Sequence, residues 1–364
     1  MRVLVVNAGS SSLKLRVLDE ADRTAASADL PAPRGHADEV TVPPVLASFG
    51  PIDAVGHRIV HGGRVYSAPV RVDAAVRARL EALTDLAPLH QPKSLAALDV
   101  VSAALPDVPA VACFDTAFHA EIPPEAATYA LPREWRERWD LRRYGFHGLS
   151  HAYASRRAAE LLGRPMEELR IVTCHLGAGA SLAAVRGGRS VDTTMGFTPL
   201  EGLVMATRSG SVDPGLVLWL EEHVGLPPGE LAAALEHRSG LLGLTGTADM
   251  RAILARAGAG DRDAAAALGV YLHRLRAQIA GMAAAMDGLD TLVFTGGVGE
   301  NAPEIRERAA DGLGFLGVAI NEDANRTGTG DRDISATGSF ATTLVVAARE
   351  DVQIAHEVRA LLGA

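Results

Sequence analysis

Apolar and polar positions alternate cleanly at the start of the chain. Val3, Leu4, Val5 and Val6 form an apolar run that ends at Asn7. After the turn Gly9-Ser10-Ser11-Ser12, the apolar Leu13, Leu15 and Val17 alternate with Lys14 and Arg16. A period of two is the mark of a half-buried strand, so residues 3–19 predict strand, tight turn, strand. The pattern returns at residues 169–185, LRIVTCHLGAGASLAAV, where an apolar strand again enters a glycine-rich turn and leaves it as a strand. Residues 292–313, LVFTGGVGENAPEIRERAADGL, make a third strand-to-glycine transition. This one leads into a helix that Asn301 or Pro303 would begin. Helical periodicity covers 74–86, 149–162, 215–224 and 261–286, the last Ala-rich and amphipathic. Residues 19–50 are rich in Pro, Ala and charge and carry no legible chemistry. Two strand–turn–strand units about 170 residues apart predict a duplicated α/β architecture. Each unit would open a domain with a mixed sheet flanked by helices, and both turns would point into a cleft between the domains.

Length supports that division, since 364 residues suggest two domains rather than one. With 48% hydrophobic and 22% charged residues the chain reads as a soluble globular protein. No apolar run reaches the ~18 residues of a membrane span, and the N-terminus enters a strand pattern without a signal peptide. A cytoplasmic location is the expectation. The formal charge of −9 argues against nucleic acid as a partner; an anion would have to bind at a local basic cluster. Cys113 and Cys174 both lie in apolar strand-like runs and read as buried free thiols of a reducing compartment.

The first turn is built to hold an anion. It is not a Walker loop, because no second glycine precedes Lys14 and a strand, not a helix, follows. Backbone N–H groups at a glycine turn can cradle an anion, serine hydroxyls add donors, and Lys14 adds a point charge. The alternative is an ordinary polar hairpin. Other segments set reactive groups beside glycines: GHRIVHGG with His57, Arg58 and His61; CFDTAFH with Asp115 ending an apolar strand; YGFHGLSH with His147 and His151; TPLEGLVMATRSG ending in Arg208; VVAAREDVQIA with Glu350. The histidine pairs have a spacing of four, but no cysteine or Glu-x-x-His ligand joins them, so a zinc site is disfavoured. Singly, a strand-end aspartate is often a helix cap and an arginine a solvated charge. As a set, two arginines, a histidine, two strand-end carboxylates and three glycine turns fit phosphoryl transfer, which needs positioning, Mg2+ and positive charge around the moving group.

These segments, VNAGSSSLKL, GHRIVHGG, FDTAFH, RRYGFHGLSH, TPLEGLVMATRSG, SGLLGLTGTADMR and GGVGEN, resemble the acetate kinase family, in order and over nearly the whole chain. The resemblance implies a duplicated two-domain actin-like (ribonuclease H-like) fold with an interdomain active-site cleft. It implies an N-terminal domain of residues 1–117 with 352–364 and a nucleotide-binding domain of 118–351. The implied reaction is ATP + acetate ⇌ ADP + acetyl phosphate, with Mg2+ (Mn2+ as the alternative), in a homodimer, with no nucleic-acid or membrane partner. Carried over by position, Asn7 and Glu350 organise the metal. Ser10, Ser12 and Lys14 sit at the phosphates, and His175, Leu176, Gly177, Ala178 and Gly179 form the second phosphate turn. Arg58 binds the carboxylate, Arg208 stabilises charge in the transition state, and His147 hydrogen-bonds the moving phosphoryl group. Asp115 matches the family's proton-handling or metal-orienting aspartate. A carboxylate nucleophile needs no deprotonation at neutral pH, which favours the orienting role. Asp249, Met250 and Arg251 match the nucleoside-contacting segment, and Gly297, Val298, Gly299, Glu300 and Asn301 the adenosine loop. Val60, Leu89, Phe146 and Pro199 fall where the family lines its acetyl-methyl pocket.

The chain departs from the family pattern in places. Ala178 stands where much of the family has Asn, and a lost donor to a phosphate is worth about 1.5–3 kcal/mol where nothing replaces it. His90-Gln91-Pro92-Lys93 replaces His-Asn-Pro-Pro near the acyl pocket, so Lys93 would alter acid preference. Leu149 replaces Thr, Ala206 replaces Gly, and Arg349-Glu350-Asp351 replaces Asn-Glu-Glu. The chain is also shorter between 19 and 50. A kinase for propionate or another short acid is the near alternative, because one methylene in an apolar pocket is worth only about 1–3 kcal/mol. Butyrate kinases resemble the family but open with an Asn-Pro-Gly-Ser-Thr-Ser motif absent here. A non-catalytic actin-like nucleotide module would lack one of the charged site residues, and a plain ATPase would not need Arg58.

Overall fold

The computed structural model describes residues 1–9, 12–32, 40–88 and 90–363, and its strands form two sheets of one plan. In the first, β1 (Val3–Ala8), β2 (Ser12–Leu18) and β3 (Thr24–Pro31) are an antiparallel meander. β4 (Ala54–Ile59) runs parallel to β1, β6 (Ala110–Phe114) runs parallel to β4, and the short β5 (Val70–Arg71) closes the edge, giving the order β3-β2-β1-β4-β6-β5. The second sheet holds β7 (Arg170–Leu176), β8 (Ala180–Arg186), β9 (Arg189–Thr193), β10 (Thr291–Thr295), β11 (Arg332–Asp333) and β12 (Thr342–Val345). Its order is β11-β12-β10-β7-β8-β9, the first sheet again with every strand moved six places along the chain. The duplication expected from the two hairpins is therefore a duplication of whole topology. The chain divides into two compact units: Met1–Ala120, Phe146–Tyr153 and Arg349–Ala364 form one, Glu121–Gly145 and Ala154–Ala348 the other.

The alternation of β2 explains how the first sheet is buried. Leu13, Leu15 and Val17 join Leu4 and Val6 in a core with Val42, Leu46, Ala97 and Val101 of the helices Val42–Ser48 and Gln91–Ala104. The opposite row, Val3, Val5, Leu18, Ala54, Val111 and Cys113, packs against Val352, Ile354, Ala355 and Val358 of the C-terminal helix Glu350–Leu362. Each buried Leu or Val contributes about 1.5–3 kcal/mol, and a one-residue slip would exchange both rows. The register is thus fixed, and with it the residues at the strand ends.

The expected helices appear as Ala74–Ala82 with a 3-10 turn Thr84–Leu86, Gly148–Leu162, Pro214–Trp219 continued by a π turn Leu220–Val224, and Arg262–Ala284. Asp261 caps the last by accepting from Asp263 and Ala264 N–H. One helix is additional: after β10 a short helix runs from Gly296 to Asn301, ahead of the expected one, Pro303–Asp311, which begins at Pro303. Gly296 has φ +79°, and a Cβ there would come within 2.8 Å of the Leu176 carbonyl oxygen, so glycine lets the chain turn directly from strand to helix. Residues 19–50 contain β3 and the helix Val42–Ser48, with a proline in its first turn. Cys113 and Cys174 are free and buried, and burial raises both thiols.

Candidate active site

Three parallel strands of the first unit end side by side, and their last residues on the face of the C-terminal helix are polar. Asn7 continues the Val3–Val5 row of β1, Arg58 the Ala54 row of β4, and Asp115 the Val111–Cys113 row of β6. The helix that covers this face begins at Glu350. Carboxyl ends of parallel strands are the usual ligand position in α/β sheets, and here they meet. Asp115 grips Arg58 with both oxygens, Nε–Oδ1 at 3.0 Å and Nη2–Oδ2 at 2.5 Å. Arg58 Nη1 donates to Asn7 Oδ1 at 3.2 Å, and Nε lies 3.6 Å from Glu350 Oε2. Asn7 Nδ2 donates to the same Glu350 oxygen at 3.4 Å. Asp115 is only 1% exposed. Burial pushes its carboxyl up to about 6; the Arg58 guanidinium pulls the other way and Glu350 adds to the rise. Burial lowers Arg58, but Asp115 and Glu350 outweigh it and raise it overall.

Lys14 lies opposite Asn7 in the β1–β2 register, so its exposed side chain shares that face. Gly9 N–H donates to the Ser12 carbonyl at 2.8 Å, closing the first turn; Ser10 lies outside the described residues. His147 has φ +57° and sits just before the helix Gly148–Leu162. Gly148 N–H donates to the Asp115 carbonyl at 2.8 Å, and a Cβ at 148 would lie 2.3 Å from that oxygen. Glycine there brings His147 next to the Asp115 strand end. Of the expected acyl-pocket residues, Val60 and Phe146 are both buried, and Phe146 packs edge-on against His61 at 5.5 Å. Leu89 lies outside the described residues. Pro199 belongs to the other unit, where its carbonyl accepts from Arg208 Nη1 at 3.3 Å.

In the second unit Arg208 ends a loop with a tied backbone. Ala206 N–H donates to the Ala178 carbonyl (3.1 Å), Leu241 N–H to Met205 (2.9 Å) and Ser239 N–H to Thr207 (2.9 Å). Glu201 of the same loop is held by Arg143 at 2.8 Å and Tyr129 at 2.5 Å. The Arg208 guanidinium is half-buried, and among the described residues no carboxylate lies within ion-pair distance of it. Burial lowers it, with Glu236 acting the other way; it keeps its charge. The second turn, between β7 and β8, closes with Gly177 N–H donating to the Gly179 carbonyl at 3.0 Å, so that N–H is taken by the hairpin. His175 and Leu176 end β7.

A cavity of about 480 Å³ adjoins this turn, lined among others by Gly177, Ala178, Asp249, Arg251, Gly297 and Asn301. Met250 and Val298 also face it. Asp249 caps the helix Met250–Gly258 through Arg251 N–H at 3.0 Å, and that backbone bond chiefly lowers its carboxyl. Gly299 and Glu300 turn away from the cavity. Gly299 packs by Phe294 and Cys174, and Glu300 Oε1 accepts from Ala348 N–H at 3.0 Å.

The sequence pattern of the acetokinase family matches residues 36–356. The chain belongs to the acetokinase family. It is 44% identical to an acetate kinase of Clavibacter sepedonicus, over 99% of both chains. Among solved structures it resembles an acetate kinase of Porphyromonas gingivalis with a TM-score of 0.91 at 36% identity, over 99% of each chain. It also resembles a propionate kinase from Francisella tularensis subsp. tularensis SCHU S4 with a TM-score of 0.90 at 34% identity, over 98% of each. The acetokinase fold of two mixed sheets with flanking helices is the one seen here.

Within this acetokinase, Gln91 holds the backbone next to the expected pocket residue Val60, a contact that reading the segment for Lys93 does not reveal. Its buried amide accepts from His61 N–H at 3.3 Å and donates to the carbonyls of His61 and Leu80, both at 3.2 Å. It fixes the backbone beside Val60, whereas Lys93 is only partly buried in the helix Gln91–Ala104. The signal was its place in the segment that departs from the family pattern. Tyr271, which lines the cavity from the long helix Arg262–Ala284, was hidden in an Ala-rich apolar face.

Proposed function

We propose that the protein catalyses reversible transfer of the γ-phosphoryl group of ATP to acetate, giving acetyl phosphate and ADP. The observation that carries this reading is Arg208: a half-buried guanidinium without a carboxylate partner among the described residues, on a loop tied to the glycine turn that lines the cavity. A cation held in that state is suited to a transient anion. In this reading the acid binds at Arg58, oriented by Asp115, with Val60 and Phe146 against its methyl group. The nucleoside occupies the 480 Å³ cavity, and the phosphates lie along residues 175–179 and at Ser12 and Lys14. His147 and Arg208 hold the moving phosphoryl group. The functional division we assign is residues 1–117 with 352–364 for the acid and 118–351 for the nucleotide.

Asn7 and Glu350 fit a Mg2+ site. Asn7 Nδ2 and Glu350 Oε2 are 3.4 Å apart, which sets the two side chains side by side, and Mg2+ commonly takes one or two carboxylates and completes its shell with water and substrate phosphates. When bound, the ion would neutralise phosphate charge; Mn2+ has the same oxygen preference. Glu350→Ala is expected to raise the half-saturating Mg2+ concentration roughly tenfold or more. An unchanged Mg2+ titration of ADP formation removes that role.

Leu216, Leu218, Trp219 and Val224 are all exposed on the segment 214–224, an apolar set that supports a homodimer. A monomer mass by sedimentation velocity at micromolar concentration excludes it. Among the described residues no helix is long and apolar enough to cross a membrane, and we assign the enzyme to the cytoplasm.

The test of the function is ADP release from ATP and Mg2+ with acetate, propionate, butyrate, formate or no acid. Acid-dependent release that is greatest with acetate is the expected result. The resemblance to a propionate kinase favours one second reading, propionate as the preferred acid, and a maximum there selects it. Equal release without acid overturns both.

A further inference from the structure

The nucleotide cavity has a charged residue behind its wall. Arg306, on the helix Pro303–Asp311, heads the fully buried side chains by volume, at 1% exposure. Its Nη1 donates to the carbonyls of Gly299 (2.8 Å) and Glu300 (2.9 Å), the last turn of the helix Gly296–Asn301. Its Nε donates to Asn325 Oδ1 and its Nη2 to the Asn325 carbonyl, both at 2.7 Å. Asn325 Nδ2 in turn donates to the Pro303 carbonyl at 3.0 Å. None of these acceptors is a carboxylate. Burial lowers the guanidinium to about 10, Arg332 adding to the fall and Glu304 opposing it, so it is charged at neutral pH.

A buried charge without a counter-ion is costly. What favours it here is the cluster of oriented carbonyls, two of them at a helix C-terminus, where positive charge is stabilised. The same short helix presents Gly297, Val298 and Asn301 to the cavity on its other side. Asn301 Nδ2 donates back to the Gly297 carbonyl at 2.9 Å, so the wall is pinned at both ends. Glycine-rich segments of this kind have little side-chain packing of their own to fix them. An ordinary hydrophobic residue at 306 would fill the space but leave the carbonyls of Gly299 and Glu300 without their donor.

We propose that Arg306 is a positioning residue for nucleotide binding, holding the helix Gly296–Asn301 from behind in the shape that receives the nucleoside, without touching it. The inference rests on the nucleotide reading of the cavity. The test is isothermal titration of ADP with Mg2+ into the full-length parent, Arg306→Lys and Asn325→Ala, with the KM for acetate measured at saturating ATP. Lysine keeps the charge but cannot reach both sets of acceptors with a fork. The expected result is ADP binding weakened roughly tenfold or more in Arg306→Lys, a smaller loss in Asn325→Ala, and an acetate KM within about twofold of parent. A merely structural role would lower the melting temperature and the active fraction while leaving the ADP affinity of the folded molecules unchanged. That outcome overturns the proposal, as does an equal loss of acetate and ADP affinity. Should Arg306→Lys fail to fold, Asn325→Ala decides by the same criteria. A parent that does not bind ADP overturns the nucleotide reading itself, whereas parental affinity retained in the variants overturns only the role of Arg306.

Discussion

Arg208→Ala is expected to lower turnover at saturating acetate and ATP by roughly 10³-fold or more, with much smaller changes in KM. The magnitude is that of a cation removed from a phosphoryl-transfer transition state, about 4 kcal/mol of barrier. The split follows from geometry. Among the described residues the guanidinium makes a carbonyl contact to Pro199 and a sulfur contact to Met205 and meets no carboxylate, so its charge is not spent on one of them. Its loop is held by Ala178, Leu241 and Ser239 through the backbone, bonds that truncating the side chain does not touch. The loss should therefore fall on the chemical step rather than on binding or folding. Arg208→Lys should recover part of the rate, since it restores a charge but not the fork. Turnover of Arg208→Ala near that of the parent removes the residue from the mechanism.

Arg208 also shows what a sequence reveals and what it leaves hidden. The two hairpins at residues 3–19 and 169–185 were legible because a period of two on either side of a glycine turn has one meaning, and a duplicated architecture followed from their repetition, though not the strand order. The polar strand ends were legible as candidates because each interrupts an apolar run. Their partnership was not, since Arg58 and Asp115 are 57 residues apart and meet only through the β4–β6 register. β3 and the helix Val42–Ser48 escaped notice because small residues and prolines blur periodicity in 19–50. The short helix Gly296–Asn301 is not legible because glycine is a poor helix former; its use there is the close turn against Leu176. Arg306 was masked by the charged run EIRERAAD. The available signal was its place on the buried stripe Ala302, Arg306, Ala309, Leu313, where helical spacing would demand an apolar residue.

The second large effect is expected at Asp115. If this carboxylate orients Arg58 rather than handling a proton, Asp115→Asn should lower kcat/KM for acetate by roughly 10²-fold or more, about 3 kcal/mol. ADP affinity should be unchanged. The amide offers one oxygen and turns an N–H toward the guanidinium, so the two-point grip at 3.0 and 2.5 Å is lost. Arg58 is then free to follow Glu350, 3.6 Å away. Protonation does the same to the parent. The buried carboxyl titrates at about 6, ionised above and protonated below, so kcat/KM for acetate should fall on acidification through pH 6, and Asp115→Asn should lack that limb. Stability moves the other way. Because the folded value lies above the ordinary aspartate value of 3.8, the folded protein holds the extra proton between about pH 4 and 6, and this group's contribution to stability declines as pH rises through that window. The thermal midpoint of Asp115→Asn should accordingly decline less than that of the parent from pH 4 to 6. Were the aspartate a proton carrier instead, the variant would lose turnover while keeping its acetate affinity and the geometry of Arg58. The ratio of KM to kcat effects, measured with the pH profile, separates the two roles.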